Sequence, residues 1–221
     1  MKLFFQLLLS DLRLHRRRLA EWSALVLFFI VIVVLLPFAV GPDAELLRRL
    51  GPGLIWLAVL LMSFLTLEKF FIADARDGTL DLMLLAPMPL PLVLLARLTA
   101  ETCMLAGGLA FALIPATLLL DIDSAVLPVL VASLALGVPA LVLLGGLAGA
   151  ITAGLPRNPS LLIVLLAPFY IPVLIFSVAA CDAAALGMTA LPALCLLAAF
   201  LAVLMPAAPF VIAAALRNCQ E

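Results

Sequence analysis

Leu67–Arg97 reads LEKFFIADARDGTLDLMLLAPMPLPLVLLAR. Both flanks are apolar, yet Asp74, Arg76, Asp77 and Asp81 crowd into the middle, and Pro87, Pro89 and Pro91 follow directly. Charge is scarce over the chain as a whole. Of 221 residues, 67% are hydrophobic and only 11% charged, and the mean hydropathy is +1.38. A soluble domain carries roughly 45–50% apolar and about 25% charged residues. A water-soluble fold would have too little polar surface to cover this apolar content, so the chain reads as an all-α, polytopic membrane protein. The quoted stretch is then a charged loop between two membrane spans.

Crossing a bilayer takes roughly 20 apolar residues in a helix. Six such runs are found, at about 22–40, 53–72, 92–118, 127–153, 161–180 and 191–215. Between them lie the charged loop and short separators rich in turn residues: GPDAELLRRLGP (41–52), DIDSAV (121–126), LPRNPS (155–160) and CDAAALGMTA (181–190). The third and fourth runs exceed one straight crossing, and tilt or kinks at Pro115 and Pro139 would absorb the excess. Pro168 and Pro172 flank Tyr170 in the fifth run, marking a hinge or a static kink. Residues 1–221 form one transmembrane domain.

Residues 1–19 are not a cleavable leader, because the apolar run Leu3–Leu9 is short, holds Gln6 and continues into DLRLHRRR. Read as a helix, this segment puts Phe4, Leu8, Leu12 and Leu19 on one side and Gln6, Ser10, Arg13 and Arg17 on the other. That pattern describes a helix lying in the membrane interface or, more plainly, an extension of the first span. His15, the lone histidine, sits beside Arg16–Arg18 on the solvated basic face.

Lys and Arg set the orientation. With the N-terminus in the cytoplasm, Lys2, Arg13, Arg16, Arg17, Arg18, Lys69, Arg76, Arg97, Arg157 and Arg217 lie on or near that side, and only Arg48 and Arg49 fall outside. This is a positive-inside distribution, and six spans bring both termini to the cytoplasm. The charged loop, 73–91, is then the longest inner loop. Asp77-Gly78-Thr79 supplies a turn or cap, Leu80, Met83 and Leu84 form an apolar stripe, and the prolines stiffen the exit. Such a short helix at the membrane surface is shaped to be gripped by another protein. The plainer reading is a solvated loop held by headgroups.

Most site chemistries are excluded. A net charge of −1 gives no basic field for nucleic acid. Cys103, Cys181, Cys195 and Cys219 are widely spaced, offering neither a metal site nor a disulfide framework. Neither lysine follows a glycine, so there is no phosphate-binding Walker A loop, and both H-E-x-x-H and G-x-S-x-G are absent. No catalytic residue is assigned. Arg97 and Glu101 share a helix face near the start of the third span and can pair, with Glu68 and Lys69 at the same level. The pair lies close enough to the cytoplasmic boundary for Arg97 to snorkel and Glu101 to follow. In GGLAGAITAG (145–154), Gly145 and Gly149 are spaced for close helix packing, beside Gly146 and Ala150.

Four stretches carry a resemblance: LPFAVGPDAELLRRLGPGLIWLAVLL, LEKFFIADARDGTLDLMLLAPMPLPLVLLAR, PFYIPVLIFSVAACDAA and PFVIAAALR. Together they resemble the haem exporter protein B (CcmB) family, the membrane permease subunits of the cytochrome c maturation ABC transporter. The similarity runs along essentially the whole chain. It implies an N-terminal elbow helix plus six spans in a bacterial inner membrane. It also implies a separate ABC ATPase subunit that hydrolyses ATP, with haem as the cargo of the complex and no cofactor held by this chain. Further implied partners are a haem-handling membrane subunit, a small single-span subunit, a periplasmic haem chaperone and a second copy of the chain. By the same resemblance the loop is an ATPase-coupling helix, its role falling on Asp74, Arg76, Asp77, Gly78, Thr79, Leu80, Asp81 and Leu84. One departure stands out. Relatives can carry a histidine one turn after the basic residue of span three, where this chain has Glu101. Alternatives are an ABC permease for a lipid or polysaccharide, an intramembrane enzyme using Glu101 with Arg97, and a stand-alone secondary transporter.

Overall fold

A few glycines and aspartates decide where so apolar a chain turns. The computed structural model describes residues 19–41, 43–76, 89–152 and 159–218. Among these residues there are six helices and no strand: α1 Leu19–Val40, α2 Ala44–Arg76, α3 Leu90–Leu119, α4 Leu127–Thr152, α5 Pro159–Ala185 and α6 Leu191–Asn218. A helix satisfies its own backbone, as a chain in hydrocarbon must. Five helices hold stretches long and apolar enough to cross a membrane, and α1 adds the shorter apolar stretch Ser23–Ala39. The outer surface is strongly apolar: Phe38 is 82% and Leu118 77% exposed, as suits side chains facing lipid. Residues 1–18, which carry the expected interfacial helix, lie outside the described residues.

Helix ends follow the local chemistry. At the end of α1, Gly41 takes φ +96° and donates its N–H to Pro37 O at 3.0 Å, a left-handed stop suited to glycine. Asp43 then starts α2, its Oδ1 accepting the N–H groups of Glu45 at 3.0 Å and Leu46 at 3.3 Å. This cap changes the expected boundaries: most of GPDAELLRRLGP is helix rather than separator, with Pro52 inside α2. The helix runs 33 residues instead of occupying 53–72 alone. At about 1.5 Å per residue it is roughly 50 Å long, so part of it stands outside a hydrocarbon layer about 30 Å thick.

The remaining turns are built similarly. After α3, Ile122 N–H reaches back to Thr117 O at 3.0 Å while Asp121 adopts φ +50°. That is a Schellman stop with aspartate at its left-handed position. Arg48 of α2 donates Nε–H to Asp121 Oδ2 at 2.7 Å, and a second guanidinium nitrogen reaches the same oxygen. Asp123 Oδ1 accepts Ala125 N–H at 3.1 Å just ahead of α4. The α5 stop uses Gly187 at φ +69°, with Met188 N–H to Ala183 O at 2.8 Å. Hence the first half of CDAAALGMTA belongs to α5, and only 186–190 form the turn.

Helix α4 is the centre of the bundle, packed against α2, α3, α5 and α6, while α1 leans on α2 and α3. Glycine makes these approaches possible. A Cβ on Gly137 would stand 2.2 Å from Trp56 Cη2, and one on Gly146 would stand 2.7 Å from Leu98 Cδ2 and 3.3 Å from Ile212 Cδ1. The Trp56 indole therefore lies in a slot where α4 has no side chain. Its Nε1–H donates to Ser133 Oγ at 3.1 Å, the Ser133 hydroxyl donates to Leu130 O at 2.9 Å, and the Cys181 thiol also hydrogen-bonds Ser133. Deeper in the bundle, Tyr170 donates its O–H to Leu141 O at 3.1 Å and stacks on Phe64 with ring centroids 4.9 Å apart. The Ser63 hydroxyl is a further hydrogen-bond partner of Tyr170. This polar seam ties α2, α4 and α5 together.

Two outcomes follow from the seam. Gly137→Ala gains up to about 1 kcal/mol of helix propensity but forces Trp56 out of its slot, an overpacking cost of about 1–3 kcal/mol. The thermal midpoint of the detergent-solubilised protein should fall, and Gly137→Ala with Trp56→Leu should recover part of the loss. An unchanged or higher midpoint for the single variant would show that the slot is slack. The second outcome corrects the simple picture of Cys181 as a loop residue open to solvent, since it is fully buried. A polar maleimide should leave Cys181 unmodified in the folded protein and label it only after denaturation.

Candidate functional site

The charged loop leaves α2 and enters α3. Asp74 and Arg76 fall in the last turns of α2, and Pro89 holds the N-cap position of α3 with Pro91 in its first turn. Proline suits a first helical turn, where its missing N–H has no partner to lose. Of the stretch 73–91, the first four residues extend α2 and the last two open α3. Asp77, Gly78, Thr79, Leu80, Asp81 and Leu84 lie outside the described residues. For Glu68, Lys69, Asp74 and Arg76 the described part is the helical backbone alone. The two helices joined by the loop touch each other little, and both rest on α4.

Arg97 and Glu101 are placed differently from the snorkelling arrangement expected of them. On α3, Leu94, Leu98, Glu101, Leu105, Leu109, Ala112 and Ala116 are all buried. Their spacing of three and four residues is that of a single core-facing stripe. Glu101 is the one charged member, 3% exposed. Helix phase points it into the bundle. It also lies about 16 Å from the first residue of α3 at 1.5 Å per residue, beyond the reach of a carboxylate on two methylenes. Arg97, one turn earlier, is half-buried with its Nε fully enclosed. Neither residue is without a partner. Leu98, between them, lies against the Gly146 backbone of α4, a position that Ile212 of α6 also approaches. Burying an unpaired carboxylate costs several kcal/mol, so such a group persists only with partners.

Gly145 and Gly149 are both buried on α4. The close cross-helix approach is recorded at Gly146, the member of the neighbouring pair, because that position faces Leu98. Among the described residues no group of three His, Cys, Asp or Glu side chains is arranged to hold a metal ion. Sequence reasoning passed over Ser63, Ser133 and Trp56, since a hydroxyl inside an apolar run carries no periodic or motif signal. The Gly137 slot, one helical turn after Ser133, is visible only once α2 and α4 are paired.

The family model described as CcmB protein matches residues 2–219. The heme exporter protein B of Pseudomonas aeruginosa is 41% identical over 216 residues, covering 97% of this chain and 96% of that protein. Those of Paracoccus denitrificans and Escherichia coli K12 are each 40% identical, over 211 and 215 residues, with 96% or more of both chains covered. Similarity at this level, sustained from the first helix region to the last, shows that the chain belongs to the CcmB protein family.

Proposed function

We propose that this chain is the membrane permease subunit of an ABC transporter complex that delivers haem to the periplasm for c-type cytochrome biogenesis. The observation that carries this reading is the near full-length similarity to proteins named heme exporter protein B. The chain sits in the bacterial inner membrane with both termini in the cytoplasm, in keeping with its lysine and arginine distribution. An ABC ATPase subunit hydrolyses the ATP and grips the loop around 77–88. Closure of the ATPase pushes that loop, and with it the ends of α2 and α3, so that haem crosses the complex or the haem-loaded chaperone is released from it. A haem-handling membrane subunit, a small single-span subunit, the periplasmic chaperone and a second copy of the chain complete the assembly.

The loop carries the test. Its stripe of Leu80, Met83 and Leu84 fills a groove on the ATPase, and Asp74, Asp77 and Asp81 face basic residues at the rim. Small interfaces are dominated by a few residues. Leu80→Asp places an unpaired charge in the groove, and Asp77→Lys sets like charges together, each costing on the order of several kcal/mol. Both variants should reach the membrane at normal levels, fail to co-purify with the ATPase and make no holocytochrome c. Asp123→Ala, a cap at the opposite end of the bundle, is the control and should be mild. Loop variants that retain the ATPase at wild-type yield would reduce the loop to a solvated connector. His15→Ala should leave cytochrome assembly largely intact, because one peripheral imidazole gives no haem-ligating site.

A further inference from the structure

Helix α5 lacks part of its own hydrogen-bond ladder. Pro168 and Pro172 lie inside it, and each removes the N–H that would have closed one helical turn. Tyr170, between them, is buried and held from outside: its O–H donates to Leu141 O of α4 at 3.1 Å, and its ring stacks on Phe64 of α2. A weakened turn in a membrane helix persists where neighbours support it in this way. Beyond that turn, α5 is seated loosely. On α2, a Cβ at Gly51 would stand 2.6 Å from Ile122 Cδ1 in the turn between α3 and α4, and one at Gly137 of α4 would stand 2.2 Å from Trp56 Cη2. Toward α5 the fit is slacker: a Cβ at Gly53 would stand 3.8 Å from Val178 Cγ1 and 3.9 Å from its Cγ2, ordinary contact distances. Room for one methyl group is left between the two helices. Beside Val178 in the chain, Ser177 is fully buried, and its Oγ has no hydrogen-bond partner among the described residues. The Ser63 and Ser133 hydroxyls, by contrast, donate to Leu60 O at 2.8 Å and Leu130 O at 2.9 Å. An unmet buried hydroxyl is a standing cost that a second arrangement can relieve. The polar tie near the far end of α5, from Cys181 to Ser133, runs through a thiol, a weak hydrogen-bonding group.

We propose that residues 173–185 form a rocking arm, which pivots on the Pro168–Pro172 turn about Tyr170 and closes on or withdraws from α2 at Gly53. The indole of Trp56 stays bound to Ser133, so α2 and α4 are the frame against which α5 moves. The arm leads into the turn at 186–190, at the end of the bundle away from the charged loop. This inference rests on the permease reading proposed above and adds to it the segment that changes position.

The experiment improves the present seat of the arm instead of damaging it. Gly53→Ala fills the gap with one methyl group at contact distance and replaces a glycine inside a helix, a change that favours the helix. Ser177→Ala removes the unmet hydroxyl. In a bacterium lacking its own haem exporter protein B, each variant should reach the membrane with a thermal midpoint equal to or above that of the wild type. Holocytochrome c should nevertheless fall threefold or more in each, and further in the double variant. A static kink predicts full output from chains at least as stable as the wild type, and that result overturns the inference. A lowered midpoint or loss of the Gly53→Ala protein would show that the seat is already tight, and would overturn it as well. Pro172→Ala restores an N–H to the pivot and reads it independently: output should again fall at least threefold, and wild-type output would mean that no pivot is there. A wild-type chain that fails to restore holocytochrome c in the same strain would instead remove the permease reading, together with the arm that depends on it.

Discussion

Helices in lipid gain nothing from expelling water, since acyl chains are as apolar as leucine, so close van der Waals contact and hydrogen bonds must hold them together. In this chain that requirement is met on α4. The absence of a side chain at Gly137 lets the Trp56 indole lie against the helix backbone, and Ser133, one turn before it, takes the indole N–H. The same hydroxyl engages Cys181, so one serine positions three helices. At the other end of α4, Gly146 repeats the device for α3 and α6. A small residue and an adjacent polar contact thus set the distances from which the rest of the bundle follows.

The two ends of the bundle are built on different principles. Toward the turns at 41–43, 120–126 and 186–190, Trp56, Ser133 and Cys181 are hydrogen-bonded, and Arg48 clasps Asp121 across the turn. That ion pair is exposed and is worth roughly 0–1 kcal/mol, so the internal hydrogen bonds carry most of the rigidity. Toward the charged loop, Leu98 of α3 lies against Gly146 of α4, and neither Arg97 nor Glu101 is without a partner.

Much of this was legible in the sequence. Six apolar runs gave six helices, because backbone satisfaction in hydrocarbon leaves no other option. Boundaries were less legible: GPDAELLRRLGP looks like a loop by its glycines and prolines, yet Asp43 is placed to cap the helix that follows, and the cap prevailed over turn propensity. Glu101 was read as sharing a face with Arg97 near the cytoplasmic boundary, close enough to follow it in snorkelling, whereas it is buried on the core-facing stripe of α3. Which way a helix face points depends on its neighbours, and only the seat of Leu98 on Gly146 decides it. Ser63 and Ser133 were invisible for a related reason, since a buried hydroxyl matters through what lies across from it.

Charge is expensive in such a chain, and its placement separates what the fold needs from what it does not. Asp43 and Asp123 accept backbone N–H groups at helix starts. Asp121 occupies a left-handed position and binds Arg48. Each of these has a local structural cause at the turn end of the bundle. Glu101 sits instead inside the core-facing stripe of α3, 3% exposed. Charge retained at cost without a folding role is the ordinary mark of function inside membranes. Glu101 lies three turns into α3, downstream along the chain of the stretch that holds Asp74 to Asp81.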